Sequence, residues 1–186
     1  MNKQLQVLPY NPHWVVEFEA ERDRIANVIG GLAIRIEHNG STAVPGLAAK
    51  PIIDIQMSVK QLHAISRYAE PLATLGYLHV PHVDDAFCPF FHRPSEWPHT
   101  HHVHVVEAGG EEERRTLAFR DYLREHSDVA REYAALKRKL AAFTDATRAD
   151  SREAYASAKS EFIERVVQFA LTAGYPRGFE CERSTT

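Results

Sequence analysis

The stretch from Gly40 to Asp54 contains the residue types that phosphate chemistry requires. Gly40 allows the backbone to turn tightly and to approach a ligand closely, because glycine has no side chain. The amides and hydroxyls of Ser41 and Thr42 can donate hydrogen bonds to phosphate oxygens. A carboxylate at Asp54 could hold Mg²⁺ against the same phosphates and serve as the catalytic residue. The alternative interpretation is an ordinary turn followed by a solvated acid.

Hydrophobic alternation predicts a strand on each side of this turn. Residues 33–38 alternate apolar and polar side chains, and residues 51–59 do the same. In the second strand, Asp54, Gln56 and Ser58 share one face, because successive side chains of a strand point to opposite sides. The other face carries the apolar set: Ile53, Ile55, Met57 and Val59. Asp54 is therefore predicted to face away from the hydrophobic core.

A histidine-rich segment offers a second group of functional side chains. His102 and His104 fall on one face of a predicted strand, and Val103 and Val105 fall on the other. If this strand joins the same sheet, the alternation predicts that the polar set converges as a metal site: Glu37, Asp54, His102 and His104. Imidazole suits Zn²⁺ or Mn²⁺ better than Mg²⁺. Alternatively, these histidines only bind backbone or solvent, and His99 and His101 are predicted to lie in a loop or on the opposite face.

Two lysines are candidates for contacts to phosphate. Lys50 precedes the strand that carries Asp54, and Lys159 follows Tyr155 by four residues on the predicted last helix, hence on the same helix face. Plain surface ion pairs are the alternative for both lysines. Arg120 and Arg124 have Asp121 between them, which is typical of a solvated helix face with intrahelical pairs.

The elements that must position these side chains are predicted from periodicity and from turn residues. A helix beginning after Asn11-Pro12 and ending near Gly30 precedes the first strand. A helix at about residues 61–75, bent at Pro71, follows the second strand. Three further strands are predicted near residues 77–80, 86–92 and 101–107. Helices are predicted at residues 111–125, 128–146 and 151–173. The pattern indicates an α+β fold, a mixed sheet backed by helices, with a helical C-terminal half.

Composition sets the outer limits. The 186 residues, 44% hydrophobic and 25% charged, predict one domain over residues 1–175 and a polar tail over residues 176–186. A net charge of -3 makes nucleic acid an unexpected partner. No apolar signal segment or membrane span is evident, so a cytoplasmic location and no membrane partner are expected. Cys88 and Cys181 lie in unlike contexts, which predicts a reduced Cys88 rather than a disulfide. The oligomeric state stays open.

Several separate motifs resemble the GrpB family, whose activity is not assigned. The resemblance is strongest from Ile36 to Ile55, where only Asn39 departs from the family signature. It covers roughly residues 8–170 and continues through further matching stretches. These stretches are Tyr10-Asn11-Pro12 with Trp14 and Phe18, Thr100 to Glu107, Phe119 to Arg124, and Tyr155 with Lys159 and Phe162-Ile163.

The GrpB resemblance implies a branch of the nucleotidyltransferase superfamily, with a nucleotidyltransferase-like sheet. Proteins of that superfamily have a Gly-Ser turn followed by two carboxylates in an Asp-x-Asp/Glu pattern on a strand. Ser41 and Asp54 match this pattern, whereas Gln56 stands at the second carboxylate and offers a metal only a neutral carbonyl oxygen. The implied partner is a nucleotide or another phosphorylated small molecule, and the implied cofactor is a divalent metal: Mg²⁺, Mn²⁺ or Zn²⁺.

Three functions remain open at the level of sequence. The first is metal-dependent transfer of a nucleotidyl group from a nucleoside triphosphate to an acceptor. The second is a non-catalytic nucleotide-binding or regulatory module, for which Gln56 is the direct argument. Some relatives are fused to a dephospho-coenzyme A kinase, which associates the family with nucleotide or cofactor metabolism. The third is a Zn²⁺ or Mn²⁺ hydrolase that uses His102, His104 and an acid.

Overall fold

A five-stranded mixed sheet organises the chain, which we describe from a computed structural model over residues 4–178. The strands lie in the order β1-β2-β5-β4-β3. Strand β2 pairs antiparallel with β1 and parallel with β5, and β4 pairs antiparallel with β5 and β3. The strand bounds are β1 Ala33–Asn39, β2 Ile53–Val59, β3 Leu78–His79, β4 Phe90–Arg93 and β5 His101–Glu107.

Six α-helices surround this sheet within the described part of the chain. Their bounds are α1 His13–Ile29, α2 Ser66–Ala73, α3 Glu111–Glu125, α4 Ser127–Ala141, α5 Ala149–Ser157 and α6 Ser160–Thr172. Short 3₁₀ helices lie at Gly30–Leu32, Ser41–Ala43 and Val83–Ala86. The predicted α+β fold class with a helical C-terminal half is therefore confirmed.

The predicted alternation in β2 and β5 is confirmed by the register of the sheet. Asp54 lies opposite His102 and Gln56 opposite His104, so all four side chains share one face. The other face packs against α1 and α2 in the main hydrophobic core. Fully buried members of this core include Ile55 and Met57 from β2, Val103 and Val105 from β5, and Ile25, Tyr68 and Leu72 from the two helices.

The polar face of the sheet is covered by the C-terminal helices. Helix α3 contacts β1 and β5, and it packs against α4 and α6. A second hydrophobic core joins these helices to the loop that follows the Gly40 turn. Its buried members are Val44, Leu47, Ala48, Leu123, Ala130, Tyr133, Ala134, Phe162 and Val166. The polar side chains of the sheet consequently lie between two apolar layers.

Four predicted element bounds were wrong. The predicted helix at 151–173 is two helices, and Lys159 lies between them at the N-cap of α6. Helix α2 begins only at Ser66. Helix α4 already ends at Ala141, because residues 142–148 form turns and an isolated bridge between Asp145 and Gln4. The predicted strand at 86–92 begins at Phe90, since residues 83–86 form a 3₁₀ helix capped by His82 and Asp85.

The remaining sequence predictions concern the chain ends and membrane spans. Residues 179–186, which include Cys181, lie outside the described residues, as does most of the predicted tail. Cys88 is a free, half-buried thiol. Between residues 4 and 178, no helix combines the length and the apolar character that crossing a bilayer requires.

Candidate functional site

The Gly40 turn packs directly against Asp54. Gly40 has φ 67° and ψ −166°, a backbone conformation that is essentially restricted to glycine. A Cβ atom at this position would lie 2.3 Å from Oδ2 of Asp54. The structure therefore brings the predicted phosphate-binding turn, Gly40 to Thr42, against the predicted metal-binding carboxylate.

Asp54, His102 and His104 form a cluster that could hold a metal ion, in which one donor atom from each residue lies within 4.8 Å of the others. Nδ1 of His102 lies 3.1 Å from Oδ1 of Asp54. Burial acts to raise the pKa of Asp54, but the hydrogen bond and charge of His102, with His104 and Lys50 nearby, outweigh it and lower the pKa to about 2. Burial lowers the pKa of His104 to about 4, so its ring is neutral at pH 7. One carboxylate and two imidazoles fit Zn²⁺ or Mn²⁺.

Further side chains support the two histidines. Nδ1 of His99 lies 3.2 Å from Nε2 of His102, and the His99 ring stacks on His92 at 3.8 Å between centroids. Metal-binding histidines commonly use their second ring nitrogen for such a contact. Sγ of Cys88 lies 3.8 Å from Nδ1 of His104. His99 was predicted to lie in a loop or on the opposite face; it lies in the loop before β5, and its contact with His102 was not predicted.

Glu37 and Gln56 share the polar face but do not join this cluster. The carboxylate of Glu37 accepts a hydrogen bond of 2.8 Å from Arg120 and is therefore neutralised locally. Gln56 is fully buried beneath α3, and its Oε1 accepts hydrogen bonds from Asn39 and Thr116. A neutral amide suits such an enclosed position, because a buried carboxylate would be costly to desolvate.

Arg120 departs from the predicted solvated helix face. It is 7% exposed, and besides Glu37 it donates to the carbonyl of His38 and to Asp121. Helix α3 is thereby joined to β1 through a buried guanidinium.

Lys50 and Lys159 lie near each other and near Asp54. Their Nζ atoms lie 5.3 Å and 4.5 Å from the centre of the Tyr155 ring. Burial, followed by the charge of Lys50, lowers the pKa of Lys159 to about 8, although Asp54 acts in the opposite direction. Burial also lowers the pKa of Lys50. A neighbouring cation lowers the pKa of a lysine, Lys50 for Lys159 and Arg152 for Lys50, and an anionic ligand would relieve this repulsion.

Lys137 was missed by the sequence analysis. It is 2% exposed, and its Nζ donates to Oγ of Ser41 at 2.8 Å and to the carbonyl of Ala48 at 2.5 Å. A signal was present, because Lys137 continues the buried stripe of α4 at helical spacing: Ala130, Tyr133, Ala134, Lys137 and Ala141. A lysine on the apolar face of a helix is expected to have a buried hydrogen-bond or ion-pair partner, because lysine is rarely fully buried without one.

An open cleft of about 940 Å³ lies beside the cluster of Asp54, His102 and His104, although none of these three residues lines it. Residues 4–8, Trp97 and the end of α4 line it, and Lys50 and His99 connect it to the side chains described above. The cleft is large enough for a nucleotide-sized ligand.

The fold and this arrangement of side chains define an α+β protein that is consistent with the nucleotidyltransferase-like superfamily. The chain belongs to the GrpB family: the family model described as "GrpB protein" matches residues 4–168. A crystal structure of the conserved protein GrpB from Enterococcus faecalis is similar, with a TM-score of 0.78 and 33% sequence identity. That similarity covers 90% of this chain and 98% of the other.

Relatives that are known from sequence extend this result. A UPF0157 protein of Pseudomonas aeruginosa is 41% identical over 174 residues, which is 91% of this chain and 69% of that protein. The UPF0157 protein YqkA of Bacillus subtilis is 38% identical over 162 residues, 87% of this chain but only 46% of its own length. A protein named dephospho-CoA kinase from Mycolicibacterium paratuberculosis is 30% identical over 158 residues, 72% of this chain and 39% of that protein.

Proposed function

We propose that this protein is a divalent-metal-dependent enzyme that transfers a nucleotidyl group from a nucleoside triphosphate to a small acceptor. The proposal is carried by one observation, the convergence of two different features on Asp54. One carboxylate oxygen contacts His102, and the other lies against the Gly40 turn. A phosphate bound at the turn would therefore lie beside the metal donors.

The chain's own residues have separate roles in this proposal. Ser41 would orient the phosphates, and Lys50 and Lys159 would neutralise their charge. Thr42 is 1% exposed and its hydroxyl donates to the carbonyl of Ile52, so this hydroxyl would support the turn rather than contact the ligand. Asp54, His102 and His104 would hold Mn²⁺ or Zn²⁺, which supplies Lewis-acid polarisation of a phosphoryl oxygen. The cleft lined by Trp97 would take the organic part of the substrate.

A second candidate function is a Zn²⁺ or Mn²⁺ hydrolase acting on a phosphorylated small molecule. The observation that favours it is the enclosure of Gln56 by Asn39 and Thr116. The cluster thus has one carboxylate and two imidazoles, a donor set resembling that of mononuclear zinc hydrolases rather than the carboxylate pairs of two-metal sites.

Thermal-shift measurements distinguish these functions. The purified protein is heated with common nucleotides or with phosphorylated coenzyme A precursors, each with Mg²⁺, Mn²⁺, Zn²⁺ or a chelator. A ligand at roughly 100 times its dissociation constant stabilises the native state by about 2.7 kcal/mol. Nucleotide stabilisation that requires a metal supports transfer, whereas stabilisation by metal alone favours the hydrolase. Nucleotide stabilisation that is indifferent to metal would instead indicate the non-catalytic module.

The Asp54→Asn variant tests the same proposal directly. We expect it to lose metal binding by at least about tenfold in calorimetric titration with Mn²⁺, because it replaces the charged donor with a neutral amide. Asp85→Asn is the matched control, since Asp85 also pairs with a histidine, His79, but lies outside the cluster. Equal Mn²⁺ affinity in the two variants would refute the metal site.

A further inference from the structure

Lys137 is a buried amine whose charge has no direct counter-ion. Within residues 4–178, no carboxylate lies within 4.0 Å of its Nζ. Its contacts are instead the hydroxyl of Ser41, the carbonyl of Ala48 and the ring of Tyr133, whose centre lies 4.6 Å from Nζ. A buried lysine without a carboxylate partner favours its neutral form, which can accept a proton.

Ser41, the hydroxyl partner of Lys137, is half-buried, so a small electrophile can reach it. Tyr133 is the neighbouring phenol: burial, the main cause, raises its pKa, although Ser41 acts in the opposite direction, so the phenol stays protonated. Ser41 follows Gly40, whose packing on Asp54 fixes the turn. A hydroxyl in contact with a positioned base is the common arrangement of an activated nucleophile.

We infer that Ser41 is a nucleophile and that Lys137 is its general base, and that together they attack the phosphorus of the group that the substrate transfers. The choice of phosphorus as the electrophile rests on the proposed function, because it derives from the neighbouring phosphate-binding residues. The pairing of nucleophile and base stands on the contact between the two side chains.

The electrostatic surroundings of Lys137 suit this role. Burial is the largest cause that lowers its pKa, to about 7, and the charges of Lys159 and Lys50 add to it, while Asp54 acts in the opposite direction. Arg138 on the same helix lowers the pKa further. The charged amine donates to both Oγ of Ser41 and the carbonyl of Ala48. In the neutral form, one N–H can keep the contact with Ala48 while the lone pair accepts the hydroxyl proton of Ser41.

The step balances without an additional reagent. Oγ of Ser41 forms a bond to phosphorus and its proton moves to Nζ of Lys137. The bond from phosphorus to the leaving group breaks, and the leaving group departs with the electron pair. The leaving group takes any proton it needs from water on its own side, and Lys137 returns its proton to water, which regenerates the neutral amine and leaves a phosphoester on Ser41.

A fluorophosphonate probe tests this inference independently of the natural substrate. The metal-free protein in chelator is incubated with the probe and analysed by intact mass and by peptide mapping. We expect one adduct at Ser41 with loss of fluoride, and a labelling rate that rises about tenfold per pH unit below about pH 7 and then levels off. Absence of an adduct, or an adduct at another serine, would overturn the inference.

Two substitutions of Lys137 distinguish a role in accepting a proton from a role that needs only the positive charge. Lys137→Met and Lys137→Arg should each slow labelling by roughly 10²- to 10³-fold, because neither side chain can accept the proton. Lys139→Met on the exposed side of the same helix and Ser127→Ala are matched controls, and both should label at the wild-type rate. Circular dichroism checks that each variant is folded. If a Lys137 variant does not fold, the pH profile of labelling in the wild-type protein still tests the inference.

The outcome is distinguishable from failure of the proposed function. Metal-dependent nucleotide stabilisation without labelling of Ser41 would retain the transferase and reject the nucleophile. Labelling of Ser41 that depends on Lys137, with no response to nucleotides or metals, would retain the nucleophile and reject nucleotidyl transfer.

Discussion

At the residue scale, Gly40 combines a conformational and a steric requirement. Its backbone is nearly restricted to glycine, and the space that a Cβ would need is taken by Asp54. Gly46 has a positive φ of 78°, but a Cβ there would meet nothing within 4 Å. A substitution at Gly46 therefore causes backbone strain alone, whereas the same substitution at Gly40 causes backbone strain and also displaces Asp54.

We expect Gly40→Ala and Gly46→Ala each to lower the free energy of unfolding by about 1–3 kcal/mol, because an L-residue is strained at these dihedral angles. Only Gly40→Ala should also abolish Mn²⁺ binding, since its methyl group displaces the Asp54 carboxylate. Urea unfolding and calorimetry measure the two effects. Retention of full Mn²⁺ affinity by Gly40→Ala would show that the turn and the metal donors are independent.

At the scale of elements, α1 is attached to β4 through a buried carboxylate. Glu21 is 2% exposed and accepts hydrogen bonds from Arg93, Tyr77 and Arg24 at 2.8, 2.9 and 2.9 Å. Burial, followed by the charge of Glu21, raises the pKa of Tyr77, so the phenol remains a donor. The network orients α1 across the apolar face of the sheet.

Glu21→Ala should lower the free energy of unfolding by about 3–5 kcal/mol, because it leaves the partly buried Arg93 charge and the buried Tyr77 hydroxyl without this acceptor. Glu19→Ala on the exposed side of the same helix is the control and should change stability by less than about 0.5 kcal/mol. Urea unfolding followed by circular dichroism provides the comparison. A small effect at Glu21 would mean that water replaces the lost carboxylate.

The break between α5 and α6 shows why element bounds were harder to predict than element types. Residues 149–172 contain no proline or glycine, so nothing in the local sequence interrupts the helical pattern. Lys159 nevertheless lies over the ring of Tyr155, as the spacing of four residues predicts, and beside Lys50. Tertiary contacts overrode local propensity at this position.

At the scale of the whole molecule, buried histidines make stability depend on pH. Burial, the largest cause, lowers the pKa of His38 from 6.5 to about 4, and the ring stacks on Phe18 with 4.7 Å between centroids. The unfolded chain therefore takes up a proton between these two pH values while the native state does not. The free energy of unfolding consequently falls as the pH falls from about 6.5 to about 4, and His38 causes no further loss below that range.

His38→Gln should make this acid-induced loss of stability smaller, because the glutamine does not titrate. His104 acts in the same direction, so the loss should be reduced rather than abolished. His13→Gln, at an exposed position on α1, is the control and should keep the wild-type dependence. The measurement is urea unfolding in chelator at about pH 7 and about pH 4.5. Identical pH dependence in His38→Gln and wild-type protein would contradict the buried neutral ring.

The sequence by itself determined the strands around Asp54 and the common face of Asp54, His102 and His104, because side-chain alternation in a strand is a local property. It also determined the Gly40 turn and the family. Only the tertiary structure decided that Arg120 neutralises Glu37, that α3 encloses Gln56, and that Lys137 reaches Ser41. Each of these contacts joins residues far apart in the chain, and local periodicity carries no information about which distant helix covers a given strand face.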